Sequence, residues 1–172
     1  MARDGSATGD HVIGRALLTL GVVACILSGC VRGEREPEMA RALVVLTSAR
    51  AATLYSLEPV TSDVELPRLN GYAILGKARL GPADTVKATR QIADGIVENE
   101  WLVACFQPRQ ALRIVADGRV YDYLVCDECS RVAVYLDGGR VGAVDYAGPS
   151  TVLEGLLSRA GVPQSNSELA HR

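Results

Sequence analysis

The chain has 172 residues, of which 48% are hydrophobic and 22% charged, and a formal net charge of −2. These values exclude a low-complexity or intrinsically disordered chain and allow one domain with a substantial core. Basic and acidic residues are interspersed, with no basic stripe to suit nucleic acid and no block of like charge at either end.

In chain order the first feature is an apolar run over 16–27 (ALLTLGVVACIL), preceded by Arg3 and Arg15 and followed by the small pair Ser28-Gly29. A spanning helix needs about 20 apolar residues, so this run reads as a secretory signal peptide instead. Leu27-Ser28-Gly29-Cys30 places a leucine three positions before a cysteine and a glycine one before it. That tetrad resembles the lipobox of bacterial lipoproteins. The resemblance implies removal of 1–29, a diacylglyceryl group on the Cys30 thiol and acylation of the new amine. Two or more acyl chains anchor stably, so the mature protein is expected to be tethered to a membrane through Cys30 without crossing it. Val31 stands where aspartate favours inner-membrane retention in that family. The periplasmic face of the outer membrane is therefore the expected destination if the cell is Gram-negative.

Residues 30–36 form a short polar tether, which holds the domain and any envelope protein partner near the bilayer. Pro37 suits a first helical turn, and Met39, Ala42, Leu43, Leu46 and Ala49 follow at helical spacing, predicting a helix over 37–49. Strands are expected at 53–57 and 71–80, paired across a loop with Pro67 and Asn70-Gly71. Gly81-Pro82 then breaks the second strand, and Val86, Ala93, Ile96 and Val97 mark a helix over 83–99.

Beyond it the apolar period becomes two. Strands at 112–116 and 120–126 flank Asp117-Gly118, and strands at 132–136 and 141–144 flank Asp137-Gly138-Gly139, both hairpin signals. A last helix begins at Thr151, where Thr151 and Glu154 fit a capping box, and stops at Gly161 and Pro163. The order α-β-β-α-β-β-β-β-α predicts one α+β domain over 37–163, an antiparallel sheet of about six strands with helices on one face, and a frayed tail over 164–172.

Any chemistry should centre on cysteine. Cys25 leaves with the signal peptide and Cys30 takes the lipid, so the domain retains Cys105, Cys126 and Cys129. In an oxidising envelope these suggest one disulfide and one free thiol, joining Cys105 to Cys126 or Cys129. Closing a loop of about twenty residues contributes about 3 kcal/mol on the chain-entropy argument. The alternative is a thiol site. Zinc could be held by Cys105, Cys126 and Cys129 with Asp127 or Glu128, an unusual set. Dithiol exchange would need a stabilised thiolate, which the two carboxylates of Cys126-Asp127-Glu128-Cys129 oppose unless Arg109 offsets them.

The segment Cys105-Phe106-Gln107-Pro108-Arg109-Gln110, with LYSLEP at 54–59, GYAILG at 71–76 and CDEC at 126–129, covers much of 50–136. Together these resemble a group of uncharacterised bacterial envelope proteins in which a C-F-x-P-R-H segment precedes a strand and a C-F-x-C segment ends the next. The resemblance implies a shared pattern and no activity. Gln110 replaces the histidine of that pattern and Asp127 its phenylalanine, which favours a binding or structural role over catalysis.

Arg109, beside a proline and near paired cysteines, is a candidate to clamp an anion, although arginine at a strand start more often bonds nearby carbonyls or carboxylates. The remaining histidine after cleavage is His171 in the tail, so no Ser-His-Asp or Cys-His arrangement is formed. Asp63, Glu65, Asp84, Asp94, Asp122 and Asp145 show no spacing that nominates an acid-base pair. Tyr72, Tyr121, Tyr123 and Tyr135 read as sheet-packing residues. The expectation is a lipid-anchored, non-catalytic binding or structural module without a cofactor.

Overall fold

Three two-residue turns organise the sheet. At Asn70-Gly71, Asp117-Gly118 and Asp137-Gly138 both residues have positive φ, between 49° and 95°. Backbone of that hand reverses a right-twisted strand pair tightly, and aspartate, asparagine and glycine tolerate it best. The structure, a computed structural model, describes residues 35–59, 65–97 and 106–165. The described residues from Glu38 onward group as one compact unit.

The elements are α1 (Arg35–Ser48), β1 (Ala52–Glu58), β2 (Arg68–Leu69), β3 (Tyr72–Leu80), α2 (Pro82–Gly95), β4 (Ile96–Val97), β5 (Gln110–Ala116), β6 (Arg119–Cys126), β7 (Arg131–Leu136), β8 (Gly139–Tyr146) and α3 (Thr151–Arg159). They form an α+β fold with one antiparallel sheet in the order β2-β3-β1-β5-β6-β7-β8-β4.

The sheet has eight strands where about six are expected. The two additions, β2 and β4, are two residues long, too short for period-two alternation to register. Asn70-Gly71 is a hairpin turn that pairs Arg68 with Ala73, not part of an open loop. Ile96 and Val97, expected in the second helix, pair with Tyr146 and Asp145 at the far edge of the sheet. The helix ends at Gly95 and Ile96 turns extended to join the sheet, while the Tyr146 ring packs so closely on Gly95 that a Cβ there would clash with it.

Alternation sends one face of the sheet to the helices. Leu54, Leu80, Leu112, Ile114, Tyr121, Tyr123, Val125, Val132, Val134 and Tyr146 join Ala42 and Leu46 of α1, Ala88 and Ile92 of α2, and Leu153, Leu156 and Leu157 of α3 in one buried cluster. Tyr123 is fully buried, and its hydroxyl donates to the Ala42 carbonyl at 2.6 Å, one of the polar ties between sheet and helix. Burial raises that phenol above its ordinary range.

The opposite face carries a second cluster of Tyr55, Leu57, Leu69, Ala111, Leu124 and Ala133. Asp122, 1% exposed, sits on this face. Its two oxygens accept from Arg113 Nε at 2.7 Å and Nη2 at 2.8 Å, and Asn70 Nδ2 donates to it at 2.8 Å. The Arg113 guanidinium also lies 5.6 Å from the Tyr55 ring centre. The hairpin register sets Arg113 directly opposite Asp122, so the pair follows from the Asp117-Gly118 turn.

Candidate functional site

Three polar segments distant in sequence converge at the end of β6. The first is the turn from β6 to β7, Cys126-Asp127-Glu128-Cys129-Ser130, closed by the Ser130 N–H to the Asp127 carbonyl at 2.9 Å. The second is Phe106 to Gln110, the approach to β5. The third is Ser150 with the first turn of α3.

The turn holds a disulfide between Cys126 and Cys129, whose Cα atoms are 5.2 Å apart. This corrects the expected bridge from Cys105: the reversal of the chain already brings the two cysteines within bridging range. Cys105 lies outside the described residues, as do Cys30 and the whole lipobox. Both bridged sulfurs are buried. Cys129 N–H donates to Cys126 Sγ and Gln107 N–H to Cys129 Sγ, each at 3.2 Å, so the second segment is pinned to the bridge.

Phe106 anchors that segment on the far face. Its ring meets Tyr72 edge-on at 6.3 Å, the Arg140 guanidinium lies 6.0 Å from its centre, and the Tyr72 hydroxyl donates to its carbonyl at 3.1 Å. From there Arg109 N–H donates to the Val125 carbonyl, and Gln110 enters β5 opposite Val125.

The Arg109 guanidinium donates to Glu128 Oε1 and to Ser165 Oγ, both at 3.0 Å. Gln164 Nε2 donates to the Glu154 carbonyl at 3.3 Å. Gln164 and Ser165, expected in the frayed tail, thus contribute to the wall of the site.

Asp127 is the centre of the arrangement. Its Oδ2 accepts the Ser150 N–H at 2.8 Å and also contacts the Ser150 hydroxyl, while its Oδ1 is buried without a hydrogen-bond partner. Ser150 Oγ further lies 3.0 Å from Glu154 Oε1. A hydroxyl has one proton, so Ser150 can donate to only one of the two carboxylates at a time. Burial pushes the Asp127 carboxyl up, with Glu154 and Glu128 adding to the rise and the Ser150 hydrogen bonds opposing it.

The expected capping box is corrected here. The residue preceding α3 is Ser150, not Thr151, and its side chain makes no cap to the helix. Asp127 draws it away, and the Val152 N–H is satisfied instead by Gln91 Oε1 of α2 at 2.7 Å.

These groups enclose a cavity of about 160 Å³ lined by Gln107, Arg109, Gln110, Asp127, Glu128, Ser150, Glu154, Gln164 and Ser165. Gln110 is only 4% exposed.

No family model, curated protein or solved structure matches this chain.

Of the residues singled out in the sequence, the structure brings together Cys126, Cys129 and Arg109, with Asp127, Glu128 and Gln110. Ser150, Glu154 and Ser165 were not legible as site residues, because they approach through the tertiary fold. The one local signal was a serine just before a helix, a position that offers a free oxygen. Among the described residues no three histidine, cysteine, aspartate or glutamate side chains are placed to hold a metal ion. No helix of the described residues is long and apolar enough to cross a membrane.

Proposed function

We propose that this chain is a bacterial envelope lipoprotein, held to a membrane by lipid on Cys30, whose α+β domain is a non-catalytic binding module. The site is the cavity at the Cys126–Cys129 turn. The observation that carries the binding role is the cavity of about 160 Å³ lined by Arg109, Asp127, Glu128 and Glu154, beside which Asp127 Oδ1 is buried without a hydrogen-bond partner. Buried polar groups are nearly always paired, so an unpaired carboxylate oxygen beside a polar cavity supports a binding role. The address is supported by Leu27-Ser28-Gly29-Cys30 behind its apolar run, and Val31 favours the periplasmic face of the outer membrane in a Gram-negative cell.

Lipidation is tested by intact mass and detergent-phase partitioning of the full chain and of Cys30→Ser. The parent should carry diacylglyceryl mass at Cys30 and enter the detergent phase, and the variant should do neither. Unchanged partitioning with no lipid mass would defeat the anchor.

A second reading is a thiol module that uses Cys105 with Cys126 and Cys129 for zinc binding or redox exchange. The N–H donors aimed at both sulfurs favour it, since they would stabilise a thiolate after reduction. Stoichiometric zinc that resists dialysis, or a bridge readily reduced by mild dithiol, would support this second reading. Two oxidised cysteines, one free thiol and no metal would support the binding module.

A further inference from the structure

We propose that the end of the sheet bearing the Asp117-Gly118 and Asp137-Gly138 turns docks on the headgroups of an anionic bilayer, with the Cys126–Cys129 turn facing away from it. The proposal rests on the reading of Cys30 as the lipid anchor and adds the surface of the domain that meets the membrane.

Three observations select that end. The first is the length of chain between anchor and domain. Cys30 precedes the start of α1 at Arg35 by five residues, at most about 18 Å of extended chain. The first turns of α1 are fixed to the hairpin end: Glu38 pairs with Arg119 at 3.6 Å, Arg41 donates to Asp117 at 2.8 Å, and Met39 packs on Gly142. From Arg119 to Cys126, β6 extends about 26 Å toward the opposite end. The tether is shorter than the strand, too short to carry the anchor to that opposite end.

The second is exposed apolar surface. Val44 and Val115 are 65% and 66% exposed, the most of any large hydrophobic side chain among the described residues. They flank the Arg41–Asp117 pair, Val44 one turn along α1 from Arg41 and Val115 two residues before Asp117. Apolar side chains at the headgroup boundary gain by leaving water. The third is charge. Thr53 pairs with Arg113 and Ser56 with Gln110, so Ala52 of β1 and its partner Leu80 of β3 lie toward the turns. Arg50 and Arg79 adjoin them, Arg140 follows the Asp137-Gly138 turn, and all three are exposed. None of the ion pairs among the described residues takes up these three arginines, whereas Glu38, Asp117 and Asp137 are already paired with Arg41 and Arg119. The opposite end gathers Asp127, Glu128 and Glu154 against Arg109. An anionic surface attracts the first end and repels the second.

The test places the lipidated chain in nanodiscs of phosphatidylethanolamine and phosphatidylglycerol that carry a gadolinium-chelate lipid, with ¹⁵N-labelled glycine as the reporter. Gly118, Gly138 and Gly139 mark the turns, and Gly148, two residues before Ser150, marks the opposite end. The turn glycines should lose their signals to the gadolinium while Gly148 keeps its own. In nanodiscs of neutral phosphatidylcholine that contrast should fade.

The double change Arg79→Gln with Arg140→Gln should weaken docking about tenfold or more, since each basic group near an anionic surface strengthens attraction about fivefold. It is read as recovery of the Gly118 signal. If that variant fails to fold, the parent chain in the two lipid compositions still decides. Loss at Gly148 with the turn glycines spared would overturn the orientation while leaving the anchor in place. Equal loss at both ends would mean a domain that turns freely on its tether, and would overturn the docking surface but not the anchor. The same contrast in phosphatidylcholine, or in the double variant, would overturn the anionic surface as the partner. A chain that separates from the nanodiscs with every glycine signal intact would overturn both the docking and the anchor.

Discussion

Two carboxylates five positions apart on one strand and its turn, Asp122 and Asp127, have opposite surroundings. Asp122 is 1% exposed and completely satisfied: Arg113 grips both oxygens, Asn70 adds a third donor, and the guanidinium rests against Tyr55. Asp127 is partly buried, receives Ser150 on one oxygen and leaves the other without a partner. A closed polar network fixes a fold, whereas one left open holds free energy that a ligand can release. The first cluster is architecture and the second is the proposed site.

The largest expected effect separates them by stability. Asp122→Ala strands Arg113 on the sheet and should lower the unfolding free energy by about 3 kcal/mol in urea, the low end for a broken buried pair because the guanidinium reaches water. A loss below about 1 kcal/mol, the scale of an exposed pair, would erase the contrast between the two clusters.

The next effect measures the brace of the site. The bridged cysteines are three residues apart. The double change Cys126→Ala with Cys129→Ala should therefore cost about 2 kcal/mol, less than the roughly 3 kcal/mol of a bridge that reached back to Cys105. Single-cysteine variants that trap a mixed disulfide with Cys105 in the parent fold would contradict the observed pairing.

Smaller still is Arg109→Gln. Glu128 is well exposed, so losing that pair should change stability by no more than about 1 kcal/mol. A loss as large as that for Asp122→Ala would make Arg109 part of the architecture and weaken the division between the two ends of β6.

The six long strands and three helices were readable because each rests on local signals: period-two runs, the Asp-Gly turns and the amphipathic spacing of α1 and α3. Even the Arg113–Asp122 pair was implicit, since a two-residue turn at Asp117-Gly118 sets its register. The site was not readable in the same way. Arg109, Cys126 and Cys129 drew attention by composition, but Asp127 meets Ser150 only after β7, β8 and the following loop have returned the chain to the same end of the sheet. The disulfide partner was misjudged for a related reason. Loop length favours a distant bridge for its stabilisation, while the tight turn decides which sulfurs actually meet. Ile96 and Val97 show tertiary override of helical periodicity, because they pair with β8 at the edge of the sheet.

The central claim is that Asp127 is held in its site at a cost to the fold, as a ligand group and not as a structural one. The direct measurement is the unfolding free energy of the parent chain and Asp127→Asn across pH 3 to 7. Because burial raises the folded carboxyl above its ordinary value of 3.8, its contribution to stability is fully present below that pH and is lost as pH rises through the folded value. Asparagine carries no charge to desolvate and keeps an acceptor for the Ser150 N–H. The account predicts near-equal stability at pH 3 and a more stable variant at pH 7. A variant that is less stable by the same amount at both ends of the range would make Asp127 an ordinary structural hydrogen-bonding residue and contradict the account.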